Sequence, residues 1–113
     1  MCVFCSIINH EIPSKVVYED DQVLAILDIS QVTKGHTLVM PKKHVDNLLE
    51  CDDETAAHLI QVIKSLAKRI QEKTGAPGIN ILNNNGEAAG QTVNHLHFHI
   101  IPRYSENDAF VCE

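Results

Sequence analysis

The sequence predicts an α+β fold in which a mostly antiparallel five-stranded sheet packs against one long helix and a short N-terminal helix. Three observations lead to this prediction. Short apolar runs near the N-terminus flank a polar turn, one apolar stripe recurs at helical spacing over residues 59–70, and apolar residues alternate with histidines over residues 95–100. The length of 113 residues predicts a single domain over residues 1–113, and 44% apolar and 21% charged residues are typical of globular proteins.

The N-terminal part of the chain predicts one helix and three strands. These elements span residues 3–10 for the helix and residues 16–19, 23–28 and 36–40 for the strands. The helix ends before Pro13, because proline disfavours helical conformation in its neighbourhood. Polar residues 20–22 separate two apolar runs, which is typical of a hairpin. The third strand ends at Pro41, which cannot donate a ladder hydrogen bond.

A long helix and two further strands follow. Asp52 or Asp53 provides the N-cap of a helix that runs to about residue 74 and ends at Gly75. Its apolar side chains recur at spacings of four, three and four residues and form one stripe: Leu59, Ile63, Leu66 and Ile70. We interpret His58, on the same helix, as a surface histidine. Residues 79–83 predict a strand, and residues 84–90 predict a loop that leads into the last strand.

Three histidines occupy every second position of the last predicted strand, at His95, His97 and His99. Alternate side chains of a strand share one face, so the imidazoles should stand in a row while Leu96 and Phe98 face the core. Imidazoles in a row repel one another when protonated and bury polar nitrogens when neutral. Packing alone rarely gathers such a row, and the pattern therefore predicts a functional face.

The charge balance limits the class of ligand. A net charge of −6 argues against a nucleic-acid polymer, because binding a phosphate backbone normally needs a basic surface. A small phosphorylated ligand remains compatible with this charge, and four basic side chains lie near the histidine segments: Lys34, Lys42, Lys43 and Arg103. The N-terminal segment has no basic region and only a short apolar run, so we expect a cytoplasmic protein without a membrane partner.

The segments around these histidines resemble the two characteristic segments of the histidine triad (HIT) family. Residues 90–101 resemble the family's His-x-His-x-His signature, and residues 27–44 resemble its upstream segment. Several separated motifs agree in order and spacing over nearly the whole chain. The similarity is greatest to the Hint-like branch and its bacterial members. It implies attack on the α-phosphate of a nucleotide conjugate, such as an AMP or GMP conjugate, and release of a nucleoside monophosphate.

The resemblance also implies catalytic roles for individual histidines. His97, the middle histidine, would be the nucleophile and would form a nucleotidyl-histidine that water then cleaves. The backbone carbonyl of His95 would orient the His97 ring by accepting a hydrogen bond from one ring nitrogen. His99 would contact the phosphate, and His36 matches a fourth histidine near the active centre.

On the substrate side, the resemblance implies that Asp28 receives the ribose hydroxyls. Gln91 and Thr92 match residues near the phosphate and the leaving group, and Asn84 matches a phosphate-side or ribose-side residue. An apolar base pocket would be lined by Phe4, Ile7, Ile26 and Ile29. Many Hint-like proteins have a tryptophan in the C-terminal tail that shapes leaving-group preference, and this chain contains none. The leaving group therefore stays unassigned.

Two cysteines near the N-terminus, Cys2 and Cys5, have the two-residue spacer that can place both sulfurs on one metal ion. The spacing alone leaves three interpretations open: zinc ligands, a redox pair, or no role. The resemblance implies zinc, because some bacterial HIT proteins combine this pair with histidines at the positions of His44 and His95. Two cysteines and two histidines leave no open coordination position, so such a zinc would be structural.

Three hypotheses on function remain. The first is a nucleotidyl hydrolase acting on purine nucleoside phosphoramidates or, as an alternative, on dinucleoside polyphosphates. The second treats the three triad histidines as ligands of a catalytic metal, and the third is a nucleotide-binding or scaffold protein with incidental hydrolysis. The resemblance also implies a symmetric homodimer whose sheet continues across the interface, which would cover an exposed strand edge.

Overall fold

The computed structural model describes residues 2–106 and 108, so that Met1, residue 107 and residues 109–113, including Cys112, lie outside it. The elements in chain order are α1 (Val3–Ile8), β1 (Val16–Glu19), β2 (Val23–Leu27), β3 (Thr37–Pro41), α2 (Asp53–Thr74), β4 (Gly78–Leu82) and β5 (Phe98–Arg103). Two short 3₁₀ turns cover Leu48–Glu50 and Glu87–Ala89. The predicted α+β fold with five strands, a short helix and a long helix is confirmed.

The five strands form one antiparallel sheet in the order β1-β2-β3-β5-β4. The pair Val39↔Phe98 joins β3 to β5, and the pair Leu82↔His99 joins β4 to β5. The histidine strand begins later than the sequence predicts, because β5 starts at Phe98. Leu96, which lies before β5, pairs instead with the segment after β3: its backbone N–H donates to the carbonyl of Val45 at 2.8 Å.

Helix α2 covers one face of the sheet. A carboxylate oxygen of Asp52 accepts from the N–H of Thr55 at the N-cap, and Gly75 ends the helix with φ +71°. The predicted stripe packs into the larger core, whose buried members include Leu59, Ile63, Leu66, Leu96, Phe98 and Ile100. Within residues 2–106 and 108, neither helix has the length and apolar character needed to cross a bilayer.

The opposite face of the sheet carries a second apolar cluster under α1, formed by Phe4, Ile7, Leu24, Ile26, Leu38 and Met40. The ring of Phe4 packs edge-on against the rings of His95 and His97, with centroid separations of 5.9 and 5.0 Å. The predicted alternation is therefore confirmed: Leu96 and Phe98 pack with α2, whereas the rings of His95 and His97 contact Phe4 of α1.

His58, interpreted above as a surface histidine, is half-buried and has a carboxylate partner. His58 on α2 lies with its Nε2 atom 2.8 Å from a carboxylate oxygen of Asp20, which also accepts from the Tyr18 hydroxyl. Burial alone would raise the pKa of Asp20, but hydrogen bonds from the Gln22 N–H, His58 and Tyr18 outweigh burial and lower that pKa to about 2. The pair connects α2 to the β1–β2 turn, a contact between residues far apart in sequence.

Candidate active site and metal cluster

The geometry around His97 leaves one ring nitrogen available for attack. Its Nδ1 atom lies 2.8 Å from the backbone carbonyl oxygen of His95. Because a carbonyl only accepts, Nδ1 carries the proton and Nε2 keeps its lone pair. Burial lowers the pKa of His97, so the ring is neutral at pH 7. A buried, neutral imidazole of fixed tautomer has the properties of a nucleophile.

His36 and His99 form a directional pair beside His97. The N–H of Val32 donates to Nδ1 of His36 at 3.2 Å, so the His36 proton lies on Nε2, which donates to Nδ1 of His99 at 2.9 Å. The His99 proton therefore lies on Nε2, a buried atom without a hydrogen-bond partner among the residues that the structure describes. Burial lowers the pKa of His99 to about 4. An unpaired buried donor favours a ligand with an anionic oxygen.

Asp28 lies at the end of this pair, with a carboxylate oxygen 3.5 Å from Nε2 of His36. Asp28, His36 and His99 are close enough together to share a metal ion, but the Nε2 proton of His36 occupies the lone-pair position that a metal would need. Within residues 2–106 and 108, the groups with metal-binding spacing do not include His97. The geometry therefore does not favour the triad as a single metal centre.

An apolar cleft of about 570 Å³ opens next to Asp28. Three of the four residues predicted to line a base pocket line this cleft, namely Ile7, Ile26 and Ile29. Ile29 is 94% exposed and lies at the rim. Phe4 is not among the lining residues and instead contacts the histidine rings. A cleft with an apolar lining that ends at a carboxylate suits a flat apolar ring with an attached polyol.

The remaining predicted site residues lie in or beside the loop before β5. Gln91 donates to the carbonyls of Asp46 and Val93 at 2.6 and 2.9 Å and accepts from the N–H of Gly86 at 2.8 Å. Both ends of its amide therefore stabilise the loop in this structure. Thr92 is exposed, and Asn84 is half-buried. Gly86 has φ +93°, a conformation that other residues rarely adopt.

The second cluster gathers the four predicted metal ligands, Cys2, Cys5, His44 and His95, with all donor atoms within 4.8 Å of one another. The sulfur of Cys2 is 3.5 Å from Nδ1 of His95, and the sulfur of Cys5 is 3.3 Å from Nδ1 of His44. Tetrahedral zinc, with bonds of about 2.3 Å to sulfur and about 2.0 Å to nitrogen, separates such atoms by about 3.5 Å. The donor set therefore fits a zinc ion.

Hydrogen bonds outside the cluster orient both histidine ligands. Nε2 of His95 donates to the carbonyl of Pro41 at 2.8 Å, and Nε2 of His44 lies 3.2 Å from a carboxylate oxygen of Asp46. Each ring therefore presents the lone pair of Nδ1 to the sulfurs. Burial, together with the neighbouring Cys2, raises the pKa of the Cys5 thiol. A metal ion bound between the sulfurs would offset this effect and favour the thiolate form of Cys5.

Two residues at the site carried no prediction. Asn83 donates through Nδ2 to the backbone carbonyl of His97 at 2.9 Å, and Asn85 donates to the side-chain oxygen of Asn83 at 2.6 Å. The only sequence signal is a run of three asparagines, residues 83–85, and asparagine runs are common in loops. The contact joins residues 14 positions apart and depends on how the loop folds back.

Comparison with known proteins places these features in a family. The family model for the HIT domain matches residues 9–106. This chain belongs to the HIT family. "Protein hit" from Bacillus subtilis (strain 168) is 55% identical over 109 residues, which cover 96% of this chain and 75% of that protein. The HIT-family relative hnt1 of Schizosaccharomyces pombe, named adenosine 5'-monophosphoramidase, is 42% identical over 105 residues, covering 93% of this chain and 76% of hnt1.

A solved HIT structure resembles the fold closely. The crystal structure of a zinc-bound histidine triad family protein from Mycobacterium smegmatis superposes with a TM-score of 0.91 at 41% identity, covering 99% of this chain and 81% of that one. The HIT fold of this chain is therefore shown by both sequence and structure.

Proposed function

We propose that this HIT protein is a nucleotidyl hydrolase that releases a nucleoside monophosphate from purine nucleoside 5'-phosphoramidates and related conjugates. The observation that carries the proposal is the hydrogen bond from Nδ1 of His97 to the carbonyl of His95, which leaves Nε2 with its lone pair. The name of the fission-yeast relative supports the substrate class. Dinucleoside polyphosphates are the alternative substrate class.

The proposed reaction has two displacements at the α-phosphorus. Nε2 of His97 forms a bond to phosphorus while the bond from phosphorus to the leaving nitrogen breaks, and the departing amine takes up a proton. Water then attacks the same phosphorus, breaks the bond to Nε2 and releases the monophosphate with loss of a proton. The Nε2–H of His99 donates to a phosphoryl oxygen in both steps, and His36 keeps that proton in place.

The remaining site residues have proposed binding roles. Asp28 accepts hydrogen bonds from the ribose hydroxyls, and the base lies in the cleft between Ile7, Ile26 and Ile29, which supports the proposal by its apolar lining. Phe4 supports the histidine rings from behind. Gln91 and Thr92 are proposed to lie near the phosphate and leaving group, and Asn84 on the phosphate side or the ribose side. For Gln91 this role requires its amide to release loop hydrogen bonds when substrate binds.

We also propose a structural zinc ion held by Cys2, Cys5, His44 and His95. Four protein ligands complete a tetrahedral site, so the ion stabilises the fold and leaves no position for substrate. His95 then has two functions that do not conflict. Its side chain binds the ion through Nδ1, and its backbone carbonyl orients His97.

The protein is further proposed to act as a cytoplasmic homodimer. The sheet has two edges, β1 and β4, and Ile81 on β4 is half-exposed, as expected for an edge that a partner covers. Sizing the protein at micromolar concentration tests this assembly, because a monomer alone at that concentration would contradict it.

The test of function is hydrolysis of adenosine 5'-phosphoramidate by the wild type, His97→Ala and His58→Gln, with zinc content measured for each. We expect His97→Ala to lose activity by about a thousandfold or more with its zinc retained. His58→Gln alters a histidine outside the site and should keep wild-type activity.

Other outcomes separate the rival functions. A wild type that cleaves only a diadenosine polyphosphate supports the alternative substrate class. Wild-type protein that binds AMP without turnover indicates a binding protein. Loss of both metal and activity in His97→Ala indicates that the triad is itself a metal centre.

A further inference from the structure

The main chain of His97 lies outside the paired part of the sheet. The last pair on one side of β5 is Val39↔Phe98 and on the other side is Leu82↔His99. The carbonyl of His97 therefore needs a partner other than a neighbouring strand, because a buried carbonyl without one is costly. Nδ2 of Asn83, the residue directly after β4, donates to this carbonyl at 2.9 Å. The Asn83 side chain thus takes the place of the next backbone hydrogen bond between β4 and β5.

The direction of this hydrogen bond is set by a chain of donors. The N–H of Leu48 donates to Oδ1 of Asn85 at 2.8 Å, so the NH₂ group of Asn85 faces Asn83. That group donates to Oδ1 of Asn83 at 2.6 Å, which turns the NH₂ group of Asn83 towards His97. An N–H group only donates, so one backbone amide at Leu48 determines the orientation of both side chains.

We propose that Asn83, oriented by Asn85, is a positioning residue for the nucleophile His97. The inference rests on the proposed function in that it takes His97 as the reacting group. Two hydrogen bonds restrain His97: its ring donates to the carbonyl of His95, and its own carbonyl accepts from Asn83. Loss of the second bond leaves a buried carbonyl unpaired and frees the peptide to rotate, which moves the ring away from the line of attack.

A positioning role for Asn83 predicts that its substitution affects kcat much more than KM. Nδ2 of Asn83 donates to the carbonyl of His97 and its Oδ1 accepts from Asn85, so both polar atoms of the side chain already have protein partners. Its removal should therefore lower kcat by about ten- to a hundredfold and leave KM within about threefold, since a small misplacement of a reacting group is costly in rate.

Three variants test the proposal kinetically. Asn83→Ala removes the donor. Asn85→Asp keeps an acceptor for Leu48 but presents a second acceptor to Asn83, so the Asn83 amide must turn its oxygen towards the His97 carbonyl. Both variants should show the same fall in kcat, although the hydrogen bonds described for the Asn85 side chain go to Leu48 and Asn83 and not to His97. Asn80→Asp is the control, because it adds the same charge on β4 and keeps the acceptor that binds Arg103.

An NMR measurement without substrate distinguishes this proposal from the proposed function. In protein with ¹⁵N-labelled histidine, the His97 signals, identified by their loss in His97→Ala, should show a proton on Nδ1 and none on Nε2 in the wild type. Asn83→Ala and Asn85→Asp should show mixed tautomers at His97, and Asn80→Asp should not. A wild-type signature in both variants overturns the proposal whatever their activity. If the wild type hydrolyses nothing, the proposed function fails while this measurement still decides the positioning role.

Discussion

Acidification should destabilise this protein through His99. Burial, followed by repulsion from His97 and His36, lowers the pKa of the His99 ring to about 4 in the folded protein. The unfolded chain has a histidine pKa of about 6.5. Between these two values the unfolded state binds more protons than the folded state, so the free energy of unfolding decreases as the pH falls through this window.

The two pKa values determine the size of the effect. For a single group with these values, lowering the pH from about 7.5 to about 5 removes roughly 2 kcal/mol of stability, and the loss approaches about 3 kcal/mol below pH 4. The His99 side chain is only 4% exposed, so solvent screening does not reduce this figure substantially.

The assay is urea denaturation at about pH 7.5 and about pH 5, with bound zinc measured at both, for the wild type and His99→Gln. The glutamine carbonyl can still accept from Nε2 of His36, and it does not titrate. The wild type should lose about 2 kcal/mol more than the variant between the two conditions. Equal losses in the two proteins would show that His99 is not held neutral by burial, and the reasoning would be refuted.

Two further predictions concern the proposed zinc site and the β1–β2 turn. The wild type should bind about one zinc ion per chain, and Cys5→Ser should bind only a small fraction of that amount and have a lower Tm, because a serine hydroxyl does not replace a thiolate ligand. The control Cys51→Ser should keep the ion. Metal analysis measures the zinc content of each variant, and calorimetry measures its Tm. Asp20→Ala should cost about 1–3 kcal/mol in urea, since four hydrogen bonds are lost, while Asp21→Ala in the same turn should cost under about 0.5 kcal/mol.

Elements whose signals are local could be predicted from the sequence. The apolar stripe that includes Leu59 and Ile63, with an N-cap at Asp52 and a glycine at position 75, led to the bounds of α2. The alternation at His97 and its neighbours predicted which side chains face the core, because side-chain direction in extended chain follows from covalent geometry.

Features that join distant segments could not be predicted in this way. The pairing of His58 with Asp20 depends on how α2 crosses the sheet, and the hydrogen bond from Asn83 to His97 depends on how the loop returns beside β5. The start of β5 at Phe98 depends on where its two neighbouring strands end. Neither the hydrophobic periodicity of a segment nor the propensities of its residues indicate which distant segments come into contact.

The four candidate zinc ligands show most clearly what the sequence determined and what only the tertiary structure decided. By itself, the sequence determined that Cys2 and Cys5 have the spacing for one metal ion, because two intervening residues keep both sulfurs within reach of it. Only the tertiary structure decided that the lone pairs of His44 and His95 meet those sulfurs at zinc-like distances. The reason is that the orientation of each ring depends on a hydrogen bond from its other nitrogen, to Asp46 and to the carbonyl of Pro41, and these partners come together only when the chain folds.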